Sequence, residues 1–113
     1  TRGTPIIDGN NIFFVSSNGY FVNLEKKSGR IIWSTNILKI LKKRKQNTEI
    51  TGFILGSGKL YVTTSNGYLI ICSANTGKAE RYKFLSAGIY ASPIISNGQL
   101  YILTEASRVL RYQ

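Results

Sequence analysis

The stretch that most constrains the fold is Leu60–Lys78, LYVTTSNGYLIICSANTGK, because the rest of the chain is largely imperfect copies of it. Leu60, Val62 and Thr64 alternate with Tyr61 and Thr63, the period-two pattern of a sheet strand. Asn66-Gly67 follows, a dipeptide that tolerates positive φ, and it predicts a two-residue type I′ hairpin. Tyr68–Cys72 is a second apolar strand, and Asn75-Thr76-Gly77-Lys78 reverses the chain again. The unit is a β-meander.

Copies of this unit set the architecture. Ile12–Val15, Asn18-Gly19 and Ser28-Gly29-Arg30 lie 48 positions before the segment at Leu60, Asn66-Gly67 and Thr76-Gly77-Lys78. A third, shorter copy begins near Tyr90, with Leu100 falling 40 after Leu60 and Pro93 falling 40 after Phe53. The period is therefore 40, with eight extra residues between the first two copies. Within the second copy four strand-length segments, 51–55, 59–64, 67–73 and 79–84, are separated by Gly-containing turns, since such short reversals need positive φ without a Cβ clash. Four short strands per repeat of this length signal a β-propeller or a related array. The expectation is an all-β fragment of about three four-stranded antiparallel blades, the last incomplete. The first blade spans about 1–36, a basic insertion about 37–48, the second blade about 49–87 and the partial third about 88–113.

Composition bounds this reading. At 113 residues and 42% hydrophobic residues the chain amounts to one domain at most, and no run approaches the roughly 20 apolar residues of a membrane-spanning helix. No charged-then-apolar leader precedes the first copy, and the truncated third copy suggests a piece of a longer protein. A single Cys72 and the absence of His exclude an internal disulfide and a Cys/His zinc site within the chain.

The Asn-Thr-Gly-Lys turn and its sister Leu24–Trp33 resemble the repeat of the quinoprotein-like β-propellers, whose blades end in an Asp/Asn-bearing Thr-Gly-Lys/Arg turn followed by a Trp four positions after its Gly. In the first copy Gly29 and Trp33 match that motif. In the second, Asn75, Thr76, Gly77 and Lys78 match, while Arg81 stands where the Trp would be. With the turn glycines Gly19 and Gly67, these form the structural repeat set. The resemblance implies that Trp33 packs between adjacent blades and donates its N–H to a backbone carbonyl, as buried indoles do. It also implies one of two activities. One branch consists of noncatalytic scaffolds of the BamB type, which points to protein partners, outer-membrane protein assembly and a periplasmic or outer-membrane-associated location. The other consists of quinone-dependent dehydrogenases, whose cofactor and calcium ligands would have to lie in blades outside this chain.

The insertion carries a second signal. Asn36 can cap a helix, and Ile37, Ile40 and Leu41 make one apolar stripe. Lys39, Lys42, Lys43, Arg44 and Lys45 crowd the remainder, five of the fifteen basic residues within seven positions, in a chain of net charge +10. These five are the candidate partner-binding residues, suited to an acidic protein or an anionic lipid surface. The competing reading is a surface excursion whose Ile and Leu pack on the propeller rim. Nucleic acid is the weaker alternative, because the aromatics, among them Phe13, Tyr61 and Tyr101, recur at repeat positions and read as packing.

Catalytic parts do not assemble. Asp8, Glu25, Glu49, Glu80 and Glu105 form no close pairs, His is lacking, and Cys72 within an apolar strand reads as a small buried hydrophobe. The expectation is no catalytic, cofactor or metal site in this chain. Its partners are other proteins or the rest of its own propeller, with self-association through open blade faces that leave Phe13, Phe14, Tyr101 and Leu103 without neighbours.

Overall fold

A computed structural model describes residues 5–41, 48–85, 93–103 and 109–112. It contains three antiparallel sheets. The first is a meander of β1 (Ile6–Asp8), β2 (Asn11–Val15), β3 (Tyr20–Glu25) and β4 (Ile31–Asn36). The second repeats it with β5 (Ile50–Gly56), β6 (Lys59–Thr64), β7 (Tyr68–Ser73) and β8 (Ala79–Phe84). The third comprises β9 (Ile94–Ser96), β10 (Gln99–Leu103) and β11 (Val109–Tyr112), with β10 in the middle. These are propeller blades, two of four strands and a smaller third.

The internal repeat is reproduced down to individual backbone bonds. Gly19 N–H donates to Ser16 O and Gly67 N–H to Thr64 O; Glu25 N–H donates to Arg30 O and Ser73 N–H to Lys78 O; Ile37 N–H donates to Gly19 O and Leu85 N–H to Gly67 O. The register shifts between Asn23 and Leu24 in the first sheet, and between Ile71 and Cys72 in the second, are the same bulge.

The core lies between sheets. Phe13, Val15 and Phe21 of the first sheet meet Phe53, Leu60, Val62, Ile70 and Cys72 of the second. Leu69 and Ile71, pointing the other way from the same second sheet, meet Leu100 and Ile102 of the third. Burial on both faces explains why β7 reads as an unbroken apolar run rather than an alternating one.

Three sequence expectations need correction. Asn18-Gly19 and Asn66-Gly67 are equivalent turns, but neither is a two-residue type I′ hairpin. Only the glycine of each pair has positive φ, 97° at Gly19 and 93° at Gly67. The loops are therefore three residues long, a type I turn closed by a glycine bulge. The hydroxyl preceding each loop favours this longer form, since Tyr20 N–H donates to Ser16 Oγ and Tyr68 N–H to Thr64 Oγ1, each at 3.0 Å. True type I′ pairs occur instead before β6 and β10, where Ser57-Gly58 and Asn97-Gly98 have positive φ throughout.

The second correction concerns the insertion. Asn36 caps it as expected, accepting Leu38 N–H at 3.1 Å, but the segment Ile37–Ile40 is a single 3-10 turn. The tighter winding buries Ile37, Leu38 and Leu41, with Leu38 taking the place foreseen for Ile40, which is only partly buried. Third, Phe13 does not face outward. It is buried between the first two sheets, and the open face of the first sheet carries Ile12, Phe14, Val22 and Leu24 instead. Tyr101 is half-buried. The side chain of Leu103 lies outside the described residues.

Candidate functional site

The joint between the first two sheets is where the repeat motif becomes geometry. Trp33 sits on β4, the last strand of its sheet, and its indole stands edge-on to Phe21 with ring centroids 4.7 Å apart. Its far side lies on the β7–β8 turn of the next sheet. There Nε1–H donates to Asn75 O at 3.2 Å. Gly77, at φ 78°, lies under the same ring, and a Cβ built on it would fall 2.5 Å from Trp33 Cε3. Thr76 Oγ1 accepts Lys78 N–H at 3.2 Å and holds the turn in shape. The turn of the first sheet carries Gly29 at φ 72°, with no atom within 4 Å of a built Cβ.

Beneath this joint a cleft of about 670 Å³ runs from β1 to β4, lined among others by Asp8, Asn23, Trp33, Ile54, Ser57 and Asn75. Asn23 is 5% exposed, and its Oδ1 has no hydrogen-bond partner among the described residues. Sequence reasoning missed Asn23, because a polar residue between Val22 and Leu24 reads as the solvent side of a strand. Only the register, which sets Asn23 beside Phe13 and Trp33, shows that its side is the covered one. A second cleft, of about 410 Å³, separates the second and third sheets and is lined by Tyr61, Arg81, Ile95 and Gln99. Arg81 occupies the position that Trp33 has in the first sheet, so no indole closes this joint.

The start of the basic segment is anchored in the same inter-sheet core, at the β2–β3 turn. Leu38 packs on Gly19, where a built Cβ would lie 2.6 Å from Leu38 Cδ1. This brings Ile37–Ile40 against the Asn18 turn, with Lys39 exposed. Lys42, Lys43, Arg44 and Lys45 lie outside the described residues.

The described carboxylates are dispersed. Glu25 accepts from Ser28 Oγ at 2.6 Å, Glu80 pairs with Lys59, and Asp8 is exposed at the rim of the larger cleft. No group of three or more His, Cys, Asp or Glu side chains suited to a metal occurs among the described residues. Cys72 is fully buried, and burial, with the Glu80 carboxylate adding to it, pushes its thiol up to about 12. A thiol held protonated in this way is a packing group, not a nucleophile.

Comparison with known proteins sets this geometry in a family. No protein-family model matches the sequence. The outer membrane protein assembly factor BamB of Legionella pneumophila (strain Paris) is 31% identical over 99 residues, covering 88% of this chain. The crystal structure of BamB from Moraxella catarrhalis superposes over 97% of the chain with a TM-score of 0.77 at 14% identity. The chain is a quinoprotein-like propeller segment of the BamB type. A europium-containing methanol dehydrogenase shares the fold at a TM-score of 0.73 and 18% identity over 98% of the chain. The BamB-type segment spans 24% of the length of its Legionella relative, 30% of the Moraxella structure and 22% of the dehydrogenase.

Proposed function

We propose that this segment belongs to a noncatalytic scaffold that takes part in outer-membrane protein assembly, in the periplasm or at the inner surface of the outer membrane. The observation that carries this reading is the 31% identity to an outer membrane protein assembly factor, set against a likeness to dehydrogenases that is one of fold. The segment's partners are other protein chains, together with the remaining blades of its own propeller.

Within that scaffold, the face bearing the Asn18 turn and Lys39 is the partner surface, with Lys39, Lys42, Lys43, Arg44 and Lys45 as its basic contacts. Support comes from the division of labour along the insertion: Ile37, Leu38 and Leu41 fasten it to the core, and Lys39 is left exposed. Such a surface suits an acidic protein, and long-range attraction would speed encounter more than it would deepen affinity.

Complementation tests the scaffold reading. The full-length protein, expressed in a Gram-negative strain lacking its own BamB-type factor, should restore the level of folded outer-membrane proteins. Failure to restore it, combined with alcohol oxidation that depends on added quinone and calcium, would overturn the proposal in favour of the dehydrogenase branch.

A further inference from the structure

Three Ser-Asn-Gly tripeptides occur in the chain, at residues 17–19, 65–67 and 96–98. Asn followed by Gly is the sequence most open to spontaneous deamidation, because no side chain on the second residue shields its backbone nitrogen. The three sites share the residue before Asn and the residue after it. Differences between them in the folded protein therefore arise from the fold.

At the first two, the attacking nitrogen is occupied. Gly19 N–H donates to Ser16 O at 3.0 Å and Gly67 N–H to Thr64 O at 3.1 Å, and both glycines are buried. The amide under attack is pinned as well. Asn18 Oδ1 accepts from Ser16 Oγ, and Asn66 Oδ1 accepts from Thr64 Oγ1 at 2.5 Å. The third site differs in each respect. Asn97 and Gly98 are both exposed, at φ 52° and 75°, and neither the Gly98 N–H nor the Asn97 amide has a hydrogen bond among the described residues outside the strand ladder. The distinction follows from hairpin type. A type I turn closed by a glycine bulge uses the glycine N–H to close the loop, whereas a type I′ turn leaves the N–H of its second central residue free.

We propose that Asn97 is a deamidation site, the one of the three Ser-Asn-Gly turns that the fold leaves reactive. Gly98 N attacks Asn97 Cγ and loses its proton to solvent; the Cγ–Nδ2 bond breaks and ammonia departs, leaving a succinimide. Water then opens the ring at either carbonyl, giving aspartate or isoaspartate, with no change of oxidation state. Either product replaces a neutral amide with a carboxylate. Isoaspartate also reroutes the main chain through the side-chain carbon, lengthening the two-residue turn that holds Ser96 opposite Gln99. That turn aligns the three-residue strand β9, whose Ile95 rests on Gly56 of the second sheet, where a built Cβ would lie 2.6 Å from Ile95 Cδ1. Deamidation at Asn97 therefore loosens the seat of the third sheet on the second.

The test is peptide mapping of the folded protein during incubation at mildly alkaline pH, with a parallel incubation in concentrated urea. Trypsin isolates residues 84–108, in which Asn97 is the single asparagine. In the folded protein, conversion at Asn97 should outpace that at Asn18 and Asn66 by on the order of fivefold or more, the factor set by giving up one backbone hydrogen bond. In urea the three rates should converge. Equal rates in the folded protein, or an excess at Asn97 that persists unchanged in urea, would overturn the assignment.

Discussion

At Gly77 the backbone meets two demands together: a left-handed φ of 78° and an indole ring lying where a Cβ would go. Gly29 meets only the first, which makes the two glycines an internal control. Ala at either position should cost about 1–2 kcal/mol of backbone strain, and Ala at 77 should add roughly 1–3 kcal/mol of overpacking against Trp33. Urea denaturation of G29A and G77A measures the difference; equal losses would mean that the indole gives way freely. Trp33, Gly77 and Lys78 were legible as a motif, because a turn followed by Trp at fixed spacing needs only the linear sequence. Asn23 was not, because its burial depends on which side of the first sheet receives a neighbour. Cys72 supplies a pH signature. Its thiol rises in the folded state from an ordinary 9.0 to about 12, so the stability it contributes is complete below pH 9 and is lost as pH climbs towards 12, when the unfolded chain ionises and the folded one does not. Comparison with Cys72→Ala over the alkaline range isolates it from Lys and Tyr titration, and parallel curves for the two proteins would remove the effect.

The insertion after β4 shows how an element can be half legible. Its cap and its apolar character were in the sequence. Which residues are buried was not, because a 3-10 turn and an α-helix present different sides from the same residues. Leu38, fully buried against Gly19, should cost about 2–5 kcal/mol when cut to Ala. Exposed Lys39 replaced by Ser should stay within about 0.5 kcal/mol. Thermal denaturation of the two variants separates anchor from contact. Replacing Lys42, Lys43 and Arg44 by Ser together with Lys39 should likewise spare the fold while lowering affinity for an acidic partner at moderate salt; unchanged affinity would move the partner surface elsewhere. The hairpins teach a similar lesson. Asn-Gly serves both loop types, and the deciding signal was the hydroxyl of Ser16 or Thr64, placed to receive the N–H of the tyrosine four residues on.

At the scale of the whole molecule the repeat was the most legible feature, because a period of 40 survives any error in placing a single strand. The open faces follow from it. Ile12, Phe14, Val22 and Leu24 on the first sheet, and Ile94 on the third, occupy positions whose counterparts between sheets are covered. An isolated chain should therefore self-associate at micromolar concentration, and sedimentation showing a well-dispersed monomer would contradict this. The replacement of Trp33's counterpart by Arg81 has a mechanical consequence. The sheets are plates joined in series, and the two joints differ in stiffness. Among the described residues, twelve buried side chains and an indole clasp lock the first, whereas four buried side chains and a guanidinium at the rim of a cleft hold the second. Stability in such a row is a sum of plates and joints, so opening starts at the looser joint and spreads. The amides of β9 and β10 should exchange with deuterium well before those of β6 and β7. Under load, the third plate would swing away while the first two still moved as one body.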